Sequence, residues 1–361
     1  KLDRAGQFYA SALLADGRLY YMTRSGKTFV VAAKPQFGQL AMNDVSDGGV
    51  FDASPAVAGN RLLIRSNKFL YCIGPNWSST APSPTAYNPD PPDGDNEVTS
   101  TPELTWLPGQ MAAKHQVYFS DSLAAVSQGA AEANKGAANQ TAFALENLEP
   151  ATVYFWRVDE STTAGVVRTG PVWRFATFLP VDDFESYDDE ENKGTRIYET
   201  WIDRWTRDNG ATVGYTEAPF AERQFVHGGQ QAMPLEYNNV DPPYYSEAVR
   251  TFEDTQDWTA NDVNALILYV RGVVTNQPVR FYLGLEDASG QTGFVFQPDP
   301  AFATALKWAR WEIPLRDFTD VNLARVRKVY IGVGDWENPL PGEKGILYID
   351  DLRLVRPVPI L

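Results

Sequence analysis

Along this 361-residue chain, apolar residues recur at every second position over short runs, with Gly, Pro, Asn and Asp between them. A period of two with turn formers at each end is the pattern of half-buried β-strands. The clearest runs are Gln116-Val117-Tyr118-Phe119-Ser120, Val153-Tyr154-Phe155-Trp156-Arg157-Val158, and residues 248–252, 265–270, 279–285, 308–313 and 328–333. No long stretch carries a helical period. Residues 317–326 are predicted to form a short helix before the strand at Lys328. Two strand-like segments carry carboxylates, Val181-Asp182-Asp183-Phe184-Glu185-Ser186-Tyr187 and Leu347-Tyr348-Ile349-Asp350-Asp351-Leu352-Arg353-Leu354. They are predicted to bracket one two-layer antiparallel sandwich, residues 179–361, whose first and last strands lie together. The predicted class is all-β.

Residues 1–75 contain an internal repeat. Ala10-Ser11-Ala12 is echoed by Ala53-Ser54-Pro55, and Asp16-Gly17-Arg18-Leu19-Tyr20 by Gly59-Asn60-Arg61-Leu62-Leu63, both 43 residues on. Thr28-Phe29-Val30-Val31 is echoed by Phe69-Leu70-Tyr71-Cys72. A unit of this length, strand–turn–strand–turn–strand, is the signature of a propeller blade. The run from Ala53 to Gly74 resembles the PQQ-like propeller repeat. Two blades do not close a propeller, so open edges are expected that further blades or a neighbouring copy of the chain would cover. PQQ is not expected as a cofactor, because two blades do not build a central channel.

Residues 76–96 are rich in Pro, Ser and Thr and read as an extended linker. Residues 97–178 resemble a fibronectin type III domain. The resemblance rests on Trp106 in Leu104-Thr105-Trp106, on the run Leu148-Glu149-Pro150-Ala151-Thr152-Val153-Tyr154-Phe155-Trp156-Arg157-Val158, and on Trp173-Arg174-Phe175-Ala176-Thr177. It implies a Greek-key sandwich without catalysis, with a hydrogen bond from the Tyr154 hydroxyl region back to the preceding backbone and with Trp106, Tyr154 and Trp156 in the core.

Residues 179–361 resemble the β-jelly-roll modules of the carbohydrate-binding superfamily. The likeness is carried by the opening Asp182-Asp183-Phe184-Glu185-Ser186-Tyr187, by Trp308 to Phe318, and by the closing strand from Leu347 to Leu354. It implies a calcium site in which Glu185 and Asp351 meet beside a loop, with Asp183 and Asp350 as neighbours; calcium takes six to eight oxygen ligands. On an alternating strand Asp350 and Asp351 face opposite ways, so only one is expected to ligate. The alternative is that these acids cap strand edges. The likeness also implies glycan binding, in which aromatic rings pack against the CH faces of sugars. The candidate rings are Trp201, Trp205, Tyr244, Tyr245 and Trp336, with Tyr215 and Tyr237 in reserve. Each is equally explained as a core or loop-anchoring residue.

The formal net charge is −15, with 46 acidic and 31 basic side chains. A polyanionic partner such as nucleic acid would be repelled. With only His115 and His227, a His-based zinc site or a Ser-His-Asp triad is not expected. Glu247, Glu253 and Glu312 sit in strand-like contexts, but nothing pairs them for glycosidic hydrolysis, so no catalytic residue is assigned. Cys72 has no intrachain partner and reads as an inert thiol. No run of about 20 apolar residues spans a membrane. The chain opens at Lys1 rather than Met, which implies a removed leader or a piece of a longer chain. The expectation is a non-enzymatic, secreted or cell-surface structural or adhesive protein with a carbohydrate-binding-like jelly roll. Two alternatives stand beside it. One is a self-assembling extracellular filament in which neighbouring copies complete the blades. The other is the accessory region of a larger secreted glycan-active enzyme.

Overall fold

The computed structural model describes residues 6–15, 17–35, 37–45, 47–58, 61–74, 83–191, 193–205 and 207–359. Lys1, Asp16, Gly59, Asn60 and the first part of the expected linker lie outside the described residues. The described chain is almost wholly β-structure, in six sheets, with two short α-helices, Leu123–Gln128 and Ile197–Thr200. Among the described residues, no helix is long and apolar enough to cross a membrane. The chain divides into two compact units, Lys1–Pro82 and Ser83–Leu361.

The first unit holds two antiparallel meanders. The four-stranded one runs Leu13–Ala15, Arg18–Met22, Lys27–Ala32 and Gln39–Asp44; the three-stranded one runs Ala56–Ala58, Arg61–Arg65 and Leu70–Ile73. Strands of the second meander begin 43 residues after their counterparts in the first. The repeat in the sequence is therefore a repeat of strand positions. Met22, Phe51 and Ile64 form a shared core.

In the second unit, residues 83–178 form a sandwich. One sheet pairs Ala142–Ala144, Glu103–Leu107 and Tyr87–Asp90; the other runs from Asn134–Ala138 to Asp95–Val98. The expected linker is thus corrected. Tyr87–Asp90 and Asp95–Val98 are strands of this sandwich, and Pro89 is tolerated there because its strand lies at a sheet edge, where a missing N–H breaks no inner ladder. Trp106, Tyr154 and Trp156 are buried in one core cluster. The Glu149 N–H donates to the Tyr154 hydroxyl at 3.0 Å.

Residues 179–359 form the larger sandwich, whose strands we number. They are β1 (Leu179–Asp182), β2 (Trp201–Ile202), β3 (Ala211–Val213), β4 (Met233–Asn238), β5 (Ser246–Gln256), β6 (Ala265–Arg271), β7 (Phe281–Asp287), β8 (Thr292–Phe296), β9 (Ala309–Pro314), β10 (Val326–Val333) and β11 (Lys344–Val355). One sheet has the order β3-β4-β11-β6-β9, with β1 also on β11; the other has the order β2-β5-β10-β7-β8. The first and last strands do pair, antiparallel, with Leu179 opposite Leu354. Residues 317–326 form no continuous helix. Two single 3-10 turns, Leu315–Asp317 and Leu323–Arg325, stand there instead, and β10 starts directly at Val326.

One buried carboxylate joins the two sheets. Asp182 ends β1, and its Oδ2 accepts from the Tyr187 hydroxyl at 2.6 Å and the Trp201 indole at 2.8 Å and pairs with Arg250 Nη1 at 2.5 Å. Its Oδ1 accepts from the Phe184 N–H. Trp201 and Arg250 belong to the opposite sheet. Removing one partner of such a buried, hydrogen-bonded pair leaves the other charge uncompensated, at a cost of about 3–5 kcal/mol. We therefore predict that Asp182→Ala lowers the unfolding free energy of this sandwich by about that much, read from urea midpoints of its tryptophan fluorescence. Exposed Asp183→Ala should move the midpoint far less, and equal shifts for both would remove Asp182 from this role.

Candidate functional site

The predicted acidic cluster is real in position but differs in kind. Glu185, Asp350 and Asp351 all converge on residues 227–231. Glu185 accepts from the N–H groups of Gln230 and Gln231, both at 2.8 Å. Asp350 accepts from His227 N–H at 2.8 Å and Gly228 N–H at 3.2 Å. Asp351 meets His227 Nδ1 at 2.5 Å and Arg353 Nη2 at 2.6 Å. Asp183 is exposed and accepts from the N–H of Glu185.

The two neighbouring aspartates do not alternate, which corrects the sequence reading. Asp351 has φ +52°, and two residues of β11 stand opposite one of β6 at this point. Such a bulge flips the parity of a strand. Leu347 and Ile349 face the core before it, and Leu352 and Leu354 after it. Asp350 and Asp351 therefore both reach the loop at His227.

The surroundings do not fit calcium. The ion needs oxygen donors turned toward a common point, whereas these carboxylates face backbone N–H groups, His227 and Arg353. Among the described residues, no group of three or more acids, histidines and cysteines is placed to hold a metal. Burial, with the Asp351 charge beside it, pushes the Asp350 carboxyl up to about 7, against the N–H groups of His227 and Gly228. Burial also opposes ionisation of Asp351, but His227 and Arg353 hold that carboxyl below its usual range. The cluster extends into the preceding sandwich. Glu97 pairs with Arg310 Nε at 2.6 Å, accepts from the Tyr269 hydroxyl at 2.9 Å and lies 3.6 Å from Arg353. These acids are fasteners, between loop and strand and between the two sandwiches.

The aromatic candidates separate. Trp201 is fully buried and offers no face to a ligand, which corrects its assignment. Trp205 is 79% exposed, with Arg204 over its ring at 5.2 Å. Tyr244 is half-buried and has φ +67° in the loop between β4 and β5. Tyr245 and Trp336 come together at one pocket of about 200 Å³, lined also by Arg207, Glu247, Thr292, Phe294 and Tyr330. Gly334 makes this meeting possible. Its φ of +105° is a glycine conformation, and a Cβ there would stand 3.2 Å from both the Tyr244 carbonyl and the Tyr245 Cα.

The pocket lies on the outer face of the five-stranded sheet. Register places three cross-strand rows there: Glu247, Gly332, Tyr282 and Phe296; Val249, Tyr330, Gly284 and Phe294; Thr251, Lys328, Glu286 and Thr292. In the first two rows a glycine sits beside an aromatic residue. A Cβ at Gly332 would overlap the Tyr282 ring, and one at Gly284 the Phe294 ring. Both side chains therefore reach over the neighbouring glycine, and their rings meet edge to face at 73°. Phe294 packs on Trp336 at 5.0 Å and on Tyr330 at 5.7 Å.

Two charged groups sit among these rings. Glu247 is 5% exposed, accepts from the Tyr282 hydroxyl at 2.9 Å, and pairs with Arg207 Nη1 at 3.2 Å. Burial pushes its carboxyl above the usual range, against the Tyr282 hydroxyl and Arg207. Glu286 is already engaged, by Lys328 Nζ at 2.7 Å and by the Tyr330 hydroxyl. Sequence reasoning named Tyr245 and Trp336 but missed Arg207, Tyr282, Phe294, Tyr330 and the two glycines. The signal was present: single glycines inside apolar strands mark a close approach. A larger open pocket of about 670 Å³ lies by β3, β4 and β11, lined mainly by polar side chains such as Arg204, Glu236, Gln277 and Lys344, and it has no comparable ring platform.

No protein-family model matches this sequence, and no curated protein does. Solved structures similar to parts of the chain include an exo-beta-agarase (14% identity, TM-score 0.36), for which the match covers 50% of this chain and 26% of the agarase. A family 11 carbohydrate-binding module from Clostridium thermocellum, in complex with a beta-1,3-1,4-mixed-linked tetrasaccharide, matches at 13% identity and TM-score 0.31, over 51% of this chain and 98% of that one. A structure described as showing promiscuous specificity in carbohydrate-binding modules of the β-sandwich superfamily matches at 10% identity and TM-score 0.36, over 76% and 99%.

The hairpin that presents Phe294 is tied at its turn by Asp287, which accepts from the Ser289 hydroxyl, from the Asn322 N–H and from the N–H groups of Ser289 and Gln291. These donors, Ser289 first, lower the carboxyl from 3.8 to about 2. A folded value below the ordinary one contributes stability that is fully present above pH 3.8 and is lost as pH falls toward about 2. Asp287→Asn should therefore be less stable than the parent at neutral pH and lose less across that acid window, in urea midpoints measured along a pH series. Parallel acid slopes for the two proteins would contradict the assignment.

Proposed function

We propose that the C-terminal sandwich is a non-catalytic glycan-binding module of an exported, multi-domain protein, and that the pocket of Tyr245, Phe294, Tyr330 and Trp336 is its sugar site. The observation that carries this reading is the cluster of aromatic rings lining one pocket beside the Glu247–Arg207 pair. Aromatic faces complement the CH faces of a sugar ring, and a carboxylate next to a guanidinium complements its hydroxyls. The setting is a surface or matrix protein, or the accessory region of a larger glycan-active enzyme. Binding is favoured over hydrolysis because glycosidases use two matched carboxyl groups, and here Glu286, in the row that borders the rings, is committed to Lys328 and Tyr330.

The test is native affinity electrophoresis of the whole chain through gels containing soluble plant, algal and bacterial polysaccharides. At least one gel should retard the protein, and Trp336→Ala should abolish the retardation while leaving its melting temperature unchanged. Trp205→Ala should still be retarded. Retardation that survives Trp336→Ala, or that fails in every polysaccharide, would move the function elsewhere.

A second reading, assembly between copies, is favoured by one observation in the first unit. Gln39–Asp44 is the edge strand of its sheet and is exposed at all of its residues. Exposed edges accept further strands. If copies add there, light scattering will show mass rising with concentration, and Met42→Pro, at a position whose N–H faces away from the neighbouring strand, will suppress the rise. A constant monomer mass excludes this reading.

A further inference from the structure

The proposed sugar site is small, and what surrounds it is specific about the size of ligand. Its volume of about 200 Å³ lies below the ~300–1,000 Å³ of pockets that enclose drug-sized ligands. The ring platform does not run on along the sheet as a groove would. Toward one end of the strands, the next row carries the Lys328–Glu286 ion pair, with the Tyr330 hydroxyl bound to the same carboxylate. Toward the other end, Arg280 covers Phe296 at 4.1 Å and is itself paired with Asp335. Charged pairs thus stand at both ends of the apolar floor. A chain extended along the strands would have to break or desolvate an ion pair at either end, and the ring there, Phe296, is already covered by Arg280.

The polar groups are equally specific. The lining contains one cation, Arg207, and one anion, Glu247, 3.2 Å apart, so its net charge is zero. Each Glu247 oxygen has one partner among the described residues, Tyr282 for Oε2 and Arg207 for Oε1, and a carboxylate oxygen can accept a second. The Arg207 side chain is 42% exposed and keeps further N–H donors. An acceptor beside donors suits two adjacent hydroxyls, each of which both donates and accepts. A sugar carboxylate placed there would meet Glu247 and find Arg207 already neutralised.

We infer that the pocket takes a single uncharged pyranose ring, the end of a chain or a one-residue branch, and does not read a run of polysaccharide. This rests on the glycan-binding reading above and sharpens it to a ligand class. The experiment is isothermal titration of the full chain with glucose, galactose, mannose, xylose and N-acetylglucosamine, with the linear oligomers of each, and with glucuronic and galacturonic acids. For the sugar that binds, the dissociation constant should change by less than about threefold from monomer to longest oligomer. The corresponding uronic acid should bind at least about tenfold more weakly, equivalent to about 1.4 kcal/mol. Trp336→Ala should abolish the monosaccharide signal, and Glu247→Gln should narrow the gap between neutral and acidic sugars. Affinity that climbs tenfold or more with chain length, or binding by oligomers alone, overturns the one-ring inference and leaves glycan binding intact. Equal or tighter binding of the uronic acid overturns the uncharged class. No heat with any sugar, joined by no retardation in any polysaccharide gel, overturns glycan binding itself.

Discussion

The larger sandwich depends on the Asp182 carboxylate. It is buried where β1 leaves one sheet, and it receives Trp201 and Arg250 from the other, with Tyr187 from the connecting loop. Arg250 also donates to the carbonyl of Val181 at 2.7 Å. An ion buried this way contributes little net stability against an apolar replacement, but it admits one geometry only. It fixes where the chain enters the sandwich, and the pairing of β1 with β11 and the descent of the 183–187 loop follow from it. That loop delivers Glu185 to the residues around Gly229, where the same logic recurs: carboxylates satisfied by backbone N–H groups hold a loop against a strand.

The outer face of the five-stranded sheet uses the opposite device. There the geometry is set by side chains that are missing. Gly284 and Gly332 leave room for Phe294 and Tyr282 to lie across neighbouring strands, and the rings cover backbone that a larger residue would have shielded. The result is an apolar floor of mutually tilted rings between two charged borders. Loops finish it: Arg207 from the segment after β2, and Tyr245 and Trp336 from two loops that touch at Gly334. The same sheet that buries Ile331 and Leu283 inward therefore displays a small chemical surface outward.

Much of this was legible beforehand. Alternation located β5, β6, β7, β9, β10 and β11 to within a few residues but not β2, β3, β4 or β8, the repeat anticipated equal strand spacing in the first unit, and the two acidic segments anticipated that first and last strands meet. The failures have separate physical causes. The stretch before residue 97 looked like linker because prolines dominate it, yet an edge strand tolerates them. Trp201 and Trp205, four residues apart, looked alike in the sequence; one is sealed by Asp182 and the other stands in solvent. Asp350 and Asp351 were read by strict alternation, and the bulge at Asp351 cancelled it.

The sequence by itself determined the all-β class and the residue types available for binding, because strand period and turn chemistry are local properties written residue by residue. It did not determine which acids and which rings would meet. Those meetings bring together residues such as Glu97 with Arg353, or Glu247 with Trp336, that are separated by long stretches of chain. They depend on sheet register, on one bulge and on two absent side chains. Only the folded arrangement, in which backbone pairing brings distant strands to a fixed spacing, converts the acids into fasteners and one group of aromatics into a candidate site.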